Sequence, residues 1–454
     1  MTKFRAWKSL WVVMTLMLVL AFCVVPGPLG CAWLNRNPVV TIPDAGLEAV
    51  IREELNKPEG ELHASELGWL QELDASARGI QNLQGLEYCT NMTHLILAAN
   101  EISDISPLAK LTGLTVLILA DNQISDISPL ASLNNLIWVE LWGNHISDVS
   151  PLANLTNLTW LGLSKNQISN ILPLAGLTNL TLLSLGENQI SDISPLTNLT
   201  NLTTLSLSEN QISNISPLAN LINLTGLGLE HNQISDISPF ANLTSLMQLN
   251  LARNQISHIP TLANLTSLTE LGLEHNQISD ISPLNDLTGL TMLSLSENQI
   301  SDISPLANST NLTELAIGSN QINDISSLSN LGNLKLLAID GNQITDISAL
   351  SNLNDLRVVW LDNNNITDIS PLSGLIKIGE VEEEDDPWLD ERNGIKVSLG
   401  LRNNQITDIK ALVDNEGLAD GDGIDLRGNP LSSYSLNTYV PQLEARGLNV
   451  LYDV

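Results

Sequence analysis

Basic residues, aromatics and cysteines are all scarce in this chain. Nineteen Lys and Arg face 50 Asp and Glu, a net charge of −31, and aromatics make up 4% of 454 residues. Such a balance excludes nucleic acid and anionic lipid surfaces as partners, since both present negative potential. The expected partner is neutral or basic. Three cysteines give no disulfide framework: Cys23 falls in an N-terminal apolar run, Cys31 just after it, and Cys89 in a core slot. Cys89 therefore reads as a small buried hydrophobe. No nucleophile–base–acid set, phosphate loop or Cys/His cluster is present, so the expectation is a protein that is not an enzyme and needs no cofactor.

Long hydrophobic runs are equally few. Leu10 to Val25 is an uncharged run of 16, preceded by Lys3, Arg5 and Lys8. It is short for a membrane span of about 20 residues and suits an export signal. Residues 1–30 are thus expected to be a signal peptide and 31–40 a linker. Without Lys3, Arg5 and Lys8 the chain keeps 16 basic against 50 acidic residues, a net charge of −34. The segment Pro26-Gly27-Pro28-Leu29-Gly30-Cys31 resembles a bacterial lipobox, with Cys31 as acceptor, although Pro28 stands where that motif prefers Leu. The alternative is cleavage after Ala32. Membrane contact is expected only through such a lipid anchor, and the location is the cell surface or secreted.

What the chain has in abundance is one sentence, repeated. An asparagine recurs every 22 residues at Asn100, Asn122, Asn144, Asn166, Asn188, Asn210, Asn232, Asn254, Asn276, Asn298, Asn320, Asn342 and Asn364, then again at Asn404 and Asn429. Around Asn122 the frame runs Leu114, Leu117, Leu119, Asn122, Ile124, Ile127, Leu130, Leu133. Alternation at Leu117 and Leu119 predicts a short strand, and the later spacing of three predicts a 3₁₀-like turn. Ser128-Pro129 is expected to start that turn, with Ser128 as its cap. One such coil cannot close a core, but stacked coils can, giving a solenoid. A buried turn leaves backbone donors and acceptors unpaired, and an amide side chain complements both, so the asparagines are predicted to form a structural ladder.

The frame resembles the leucine-rich repeats of bacterial internalins, the 22-residue class L-x-x-L-x-L-x-x-N-x-I-x-D-I-x-x-L, over residues 40–454. The resemblance implies an α/β solenoid: a right-handed leucine-rich repeat superhelix with a concave parallel β-sheet and short 3₁₀ or helical convex turns. Residues 41–91 then read as a helical N-terminal cap and degenerate first repeat, with Leu47, Val50, Ile51 and Leu55 on one helical face and Arg78 in the asparagine slot. Residues 92–429 read as the repeats and 430–454 as the C-terminal cap, a helix from Ser435 to Arg446 and a closing strand near Asn449. Internalins often add an immunoglobulin-like segment and a wall-anchor tail. Neither is visible here, so host-cell invasion does not carry over.

Three features interrupt the pattern. An 18-residue acidic insertion near 376–395 carries Glu380-Val381-Glu382-Glu383-Glu384-Asp385-Asp386-Pro387-Trp388, and reads as a solvated loop. The pairs Glu230-His231 and Glu274-His275 lie two coils apart, about 10 Å, too far for one zinc with ligands at ~2.1 Å. The run Asp420-Gly421-Asp422-Gly423-Ile424-Asp425 looks like a calcium loop, but Leu431 stands where an EF-hand places Glu, and a turn is the better reading.

The positions free to carry meaning are the outward strand positions. Most are small and polar, such as Ser206 and Ser208 or Gly226 and Gly228. Trp138, Glu140, Trp142 and Trp160 break that habit, and His94, Ile96, Val116 and Ile118 extend the patch toward the N-terminus. Trp138 and Trp160 share a slot and are expected to stack. An exposed apolar patch of this kind predicts a contact site for a protein partner. The second candidate partner is a glycan or cell-wall polymer stacked on the tryptophans.

Overall fold

The computed structural model describes residues 37–380, 390–392 and 395–453. The predicted leader, Cys31 and the acidic run at 381–389 lie outside the described residues. The chain divides after Pro38, and everything below concerns Val39–Val454.

The unit opens with a cap. Strands Val39–Val40 and Leu62–His63 pair antiparallel around helix Ala45–Glu54. The helix buries Leu47, Val50 and Ile51 because their spacing puts them on one face. Asp44 starts it, its Oδ1 accepting from the amides of Gly46 and Leu47 at 3.0 Å. Its Oδ2 accepts from the amides of Gln81 at 2.8 Å and Asn82 at 3.2 Å. One carboxylate therefore caps the helix and seats it on the first coil. Burial pushes the Asp44 carboxyl up, but the four amides outweigh it and hold it below the usual range.

Each coil then repeats three parts. The first is a strand of three residues, such as Val116–Ile118, with Leu117 buried and its neighbours half-buried. Successive strands pair parallel at a shift of 22, so that Leu117 faces Val139 and Val139 faces Leu161. Among the described residues seventeen strands form this sheet, and it is open: there Glu72–Asp74 pairs only with His94–Ile96, and Asn449–Leu451 only with Gly423–Asp425.

The second part is a tight bend, and it carries a backbone feature absent from the sequence reading. The residue before each ladder asparagine has positive φ, between 52° and 58° at residues such as Asp121, Lys165, Glu209, His231 and Arg253. Only Gly143, Gly341 and Gly428 supply glycine there. The left-handed form costs an ordinary residue about 1 kcal/mol or more, so the stacked neighbours must impose it.

The third part is the convex 3₁₀ turn, Ser128–Ser132 in the coil of Asn122. Here one expectation is corrected. The capping side chain is Asp126, whose Oδ1 accepts from the Ser128 amide at 2.8 Å. Ser128 itself lies inside the turn, one residue too late to cap it. In the next coil the Ser150 hydroxyl also donates to Asp148 at 2.8 Å. These backbone and hydroxyl bonds hold Asp126, Asp148, Asp192 and Asp236 below the usual carboxylate range.

The core is the row of side chains from each coil stacked on those of the next. Leu114, Leu117, Leu119, Ile124, Ile127, Leu130 and Leu133 are all buried. Cys89 fills a slot of the same core, fully buried. Burial, with Glu87 adding to it, pushes its thiol up to about 12.

At the far end the insertion closes with an antiparallel strand pair, Asp390–Arg392 with Ile395–Val397, where the acidic composition predicts a loop. The Asp-Gly run turns at Asp420-Gly421 into strand Gly423–Asp425. The expected helix from Ser435 forms as one helical run over 433–445, in which the turn Ser435–Tyr439 is π and Val440–Ala445 is α. Pro441 explains it. Its ring has no amide hydrogen and crowds the carbonyl four residues back, so the preceding turn widens and Val440 donates to Ser435.

Candidate functional site

The ladder asparagines do bond along the stack, though not to one another. The Asn122 Nδ2 donates to its own coil at Leu119 O (3.0 Å) and to the preceding coil at Leu97 O (3.0 Å). Its Oδ1 accepts from the Ile102 amide of that preceding coil at 3.0 Å. The same bonds recur at Asn144, Asn166, Asn188, Asn210, Asn232, Asn254, Asn276, Asn298, Asn320, Asn342 and Asn364. Across the insertion Asn404 keeps both partners, donating to Leu361 O and accepting from the Ile366 amide.

A second ladder escaped the sequence reading. On the outside of the turns Asn135, Asn157, Asn179, Asn201 and Asn223 each donate to a carbonyl 23 residues earlier. The period was the available signal, although the set lapses at Ser245, Ser267 and Gly289 before Asn311 and Asn333 resume it.

In-register pairing assembles the outward residues into columns. His94, Val116, Trp138 and Trp160 lie side by side, and so do Ile96, Ile118, Glu140 and Gly162. All are half-buried except Gly162, which is buried. The Trp138 and Trp160 rings stack with centroids 4.6 Å apart and planes inclined by 26°. The Trp160 Nε1 donates to Glu140 Oε2 at 3.3 Å, whereas the Trp138 Nε1 is buried and unpartnered. Glu140 lies over the Cα of Gly162, where any Cβ would meet its carboxylate. Burial raises the Glu140 carboxyl, opposed by bonds from the Trp160 ring and the Trp142 amide. Trp142 stands at the edge of this group, with Lys165 Nζ 5.0 Å from its ring centre. His94 sits at the other edge, its Nδ1 2.9 Å from the Thr93 hydroxyl.

Other candidates resolve into local structure. His275 Nδ1 pairs with Glu297 at 2.7 Å, and His231 lies on the positive-φ row two coils earlier. Asp425 is fully buried and forked by Arg427, at 2.9 Å and 2.6 Å. Asp422 accepts from the Ala419 amide at 2.7 Å. Among the described residues no group of three or more His, Cys, Asp or Glu side chains is placed to hold a metal. No helix among them is long and apolar enough to cross a membrane.

The coil, its asparagine ladder and its parallel sheet define a leucine-rich repeat protein. The family model for Leucine Rich repeats (2 copies) matches residues 112–154, 156–198, 178–220, 200–242, 288–330 and 332–374, and that for Leucine rich repeat matches 222–278. The chain is 39% identical to an internalin (InlF) of Listeria monocytogenes, over 74% of this chain and 94% of that one, with a TM-score of 0.63. It belongs to the internalin-like leucine-rich repeat proteins of bacteria. The functional domain of InlJ from Listeria monocytogenes shares the fold at 23% identity and a TM-score of 0.69, covering 85% of this chain and 80% of that one. A leucine-rich repeat protein of Leptospira interrogans does so at 22% and 0.63, over 85% and 97%. No curated protein sequence matches the chain.

Proposed function

We propose that this is an exported, surface-displayed and non-enzymatic binding module that holds a neutral or basic protein partner against its sheet face. The observation that carries the reading is the Trp138–Trp160 stack with Glu140 hydrogen-bonded beside it. A tryptophan carries about 150–250 Å² in all, and the roughly half that each of these stacked rings leaves for a partner is worth about 2–3 kcal/mol at about 25 cal/mol per Å². The serines and glycines of later coils offer far less, so binding energy concentrates here. His94, Ile96, Val116 and Ile118 extend the same columns. The stack also favours a protein over a sugar, because each ring spends one face on the other. Residues 1–30 serve as the export signal in this reading, and Cys31 carries the anchor.

The test is crosslinked capture from the surroundings of the native host. Trp138→Ala with Trp160→Ala should abolish capture with little change in melting, and Ser206→Ala with Ser294→Ala should leave it intact. The reverse pattern would move the contact to the central coils. Capture of glycans alone would replace the protein reading with the polysaccharide one.

A further inference from the structure

One slot of the convex core breaks its own series. The residue that follows each 3₁₀ turn is leucine in every coil from Leu111 to Leu287, and again at Leu331, Leu353 and Leu375. Between Leu287 and Leu331 stands Ser309. Its side chain is fully buried, and its hydroxyl finds no hydrogen-bond partner among the described residues. The backbone at this point repeats that of the other coils. The Ser309 amide donates to Leu306 O at 3.0 Å and Leu312 donates to Ser309 O at 3.0 Å, as Leu199 and Leu202 do to Leu196 O and Leu199 O at 2.9 Å and 3.1 Å. Only the side chain differs.

That difference weakens two interfaces at once. Leu287 and Leu331, in the same slot of the coils before and after, are buried at 1% and 0% exposure. Against both, a hydroxymethyl group stands where the series supplies an isobutyl group. A close-packed interior collapses only in part around such a loss, so apolar contact is forfeited on each side. The enclosed hydroxyl adds a cost that exists only while the coil is closed, because opening gives it water. In a solenoid the stability is a sum of coil terms and nearest-neighbour terms, so a defect of this kind stays local.

The sheet side of the same coils is intact. Leu293, Leu315 and Leu337 pair in register across strands Met292–Ser294, Glu314–Ala316 and Leu336–Ala338. The Asn320 Nδ2 donates to Leu295 O at 3.1 Å, and its Oδ1 accepts from the Ile300 amide at 3.0 Å. Asn342 continues the ladder to Ile317 O at 3.1 Å. The coils are thus tied along the strands and the inner asparagines, and underpacked on the convex side alone.

We propose that Ser309 marks a joint built into the solenoid, where the convex side opens while the coils on either side stay folded. It divides the chain into an N-terminal block carrying the stacked tryptophans and a C-terminal block closed by helix Val440–Ala445. The strands act as the leaf of the hinge. This device is independent of what the sheet face binds.

Hydrogen exchange on the full chain tests it, in the regime where protection reports opening equilibria. The amides of Leu306, Ser309 and Leu312 should be protected roughly tenfold less, or weaker still, than those of Leu196, Leu199 and Leu202. Ser309→Leu, which installs the residue of the neighbouring coils, should raise protection at this turn by a similar factor. Leu199→Ser should create a second weak turn around residue 199 and leave protection near Ser309 unchanged, so the test does not hang on one variant. The assignment is overturned if the two turns are equally protected in the parent, or if Ser309→Leu leaves protection as it was. It is also overturned if Leu199→Ser lowers protection evenly along the chain, since a weak slot would then not act as a joint.

Discussion

The Oδ1 of Asn232 accepts the backbone amide of Ile212, 2.9 Å away in the coil before it. A side chain of one coil thereby completes the backbone of another. The Nδ2 of the same residue reaches Leu207 O in that earlier coil at 3.0 Å and Leu229 O in its own at 3.1 Å. Coils are therefore fastened through their backbones as well as through their leucines, and each fastening runs in one direction along the chain.

Replacing Asn232 by Leu leaves those amide and carbonyl groups buried without partners, and should cost roughly 1–3 kcal/mol. Reversible denaturant titration measures it. Asn135→Ala is the comparison, since Asn135 is exposed and makes one bond, to Thr112 O at 2.9 Å. It should cost within about 0.5 kcal/mol. Equal costs at the two positions would contradict the structural role of the inner ladder.

Glu140 gives a pH signature. Its folded carboxyl titrates above the ordinary value because burial disfavours the charge. The folded state then holds the proton more tightly than the unfolded chain, so this residue's contribution falls as pH rises through the glutamate range. Glu140→Gln keeps an acceptor for Trp160 and removes the charge. The variant should match the parent near pH 4 and be more stable near pH 7. The depressed aspartates of the convex turns act with the opposite sign, losing stability as pH falls below about 3.8. They are common to both proteins and cancel in the difference. A variant that is less stable at neutral pH would show that the carboxylate charge supports the fold.

The Cys89 thiol should be inert while the protein is folded. Burial both hides the sulfur and raises its titration to about 12, so thiolate is scarce at neutral pH. In a Cys23→Ser/Cys31→Ser background, a thiol reagent should label Cys89 only in denaturant, with the same midpoint as the unfolding transition. Rapid labelling of the native protein would contradict the burial.

Period made most of the fold legible. Leu117, Leu119, Ile124 and Ile127 recur so regularly that strand, bend and turn follow from spacing alone, and Asn122 declares itself by chemistry. The errors have equally local causes. Asp126 and Ser128 are both good caps, and only the dihedrals of Ile127, between them, show which one reaches the amide. The strand pair Asp390–Arg392 with Ile395–Val397 occurs once, so no repetition announces it. The stacked tryptophans were legible because a large residue in a row of small ones stands out.

The positive-φ row before the asparagines sets where this protein can change. Ala99, Asp121, Lys165, Glu187, His231, Arg253 and Ser319 all adopt one backbone shape that none of them prefers. Size, charge and aromaticity are therefore open at a place where conformation is not. The row borders the sheet face coil after coil at intervals of about 4.8 Å. It amounts to a margin on which each generation of the chain can write a new sign of charge next to whatever the sheet holds, while the scaffold reads every letter alike.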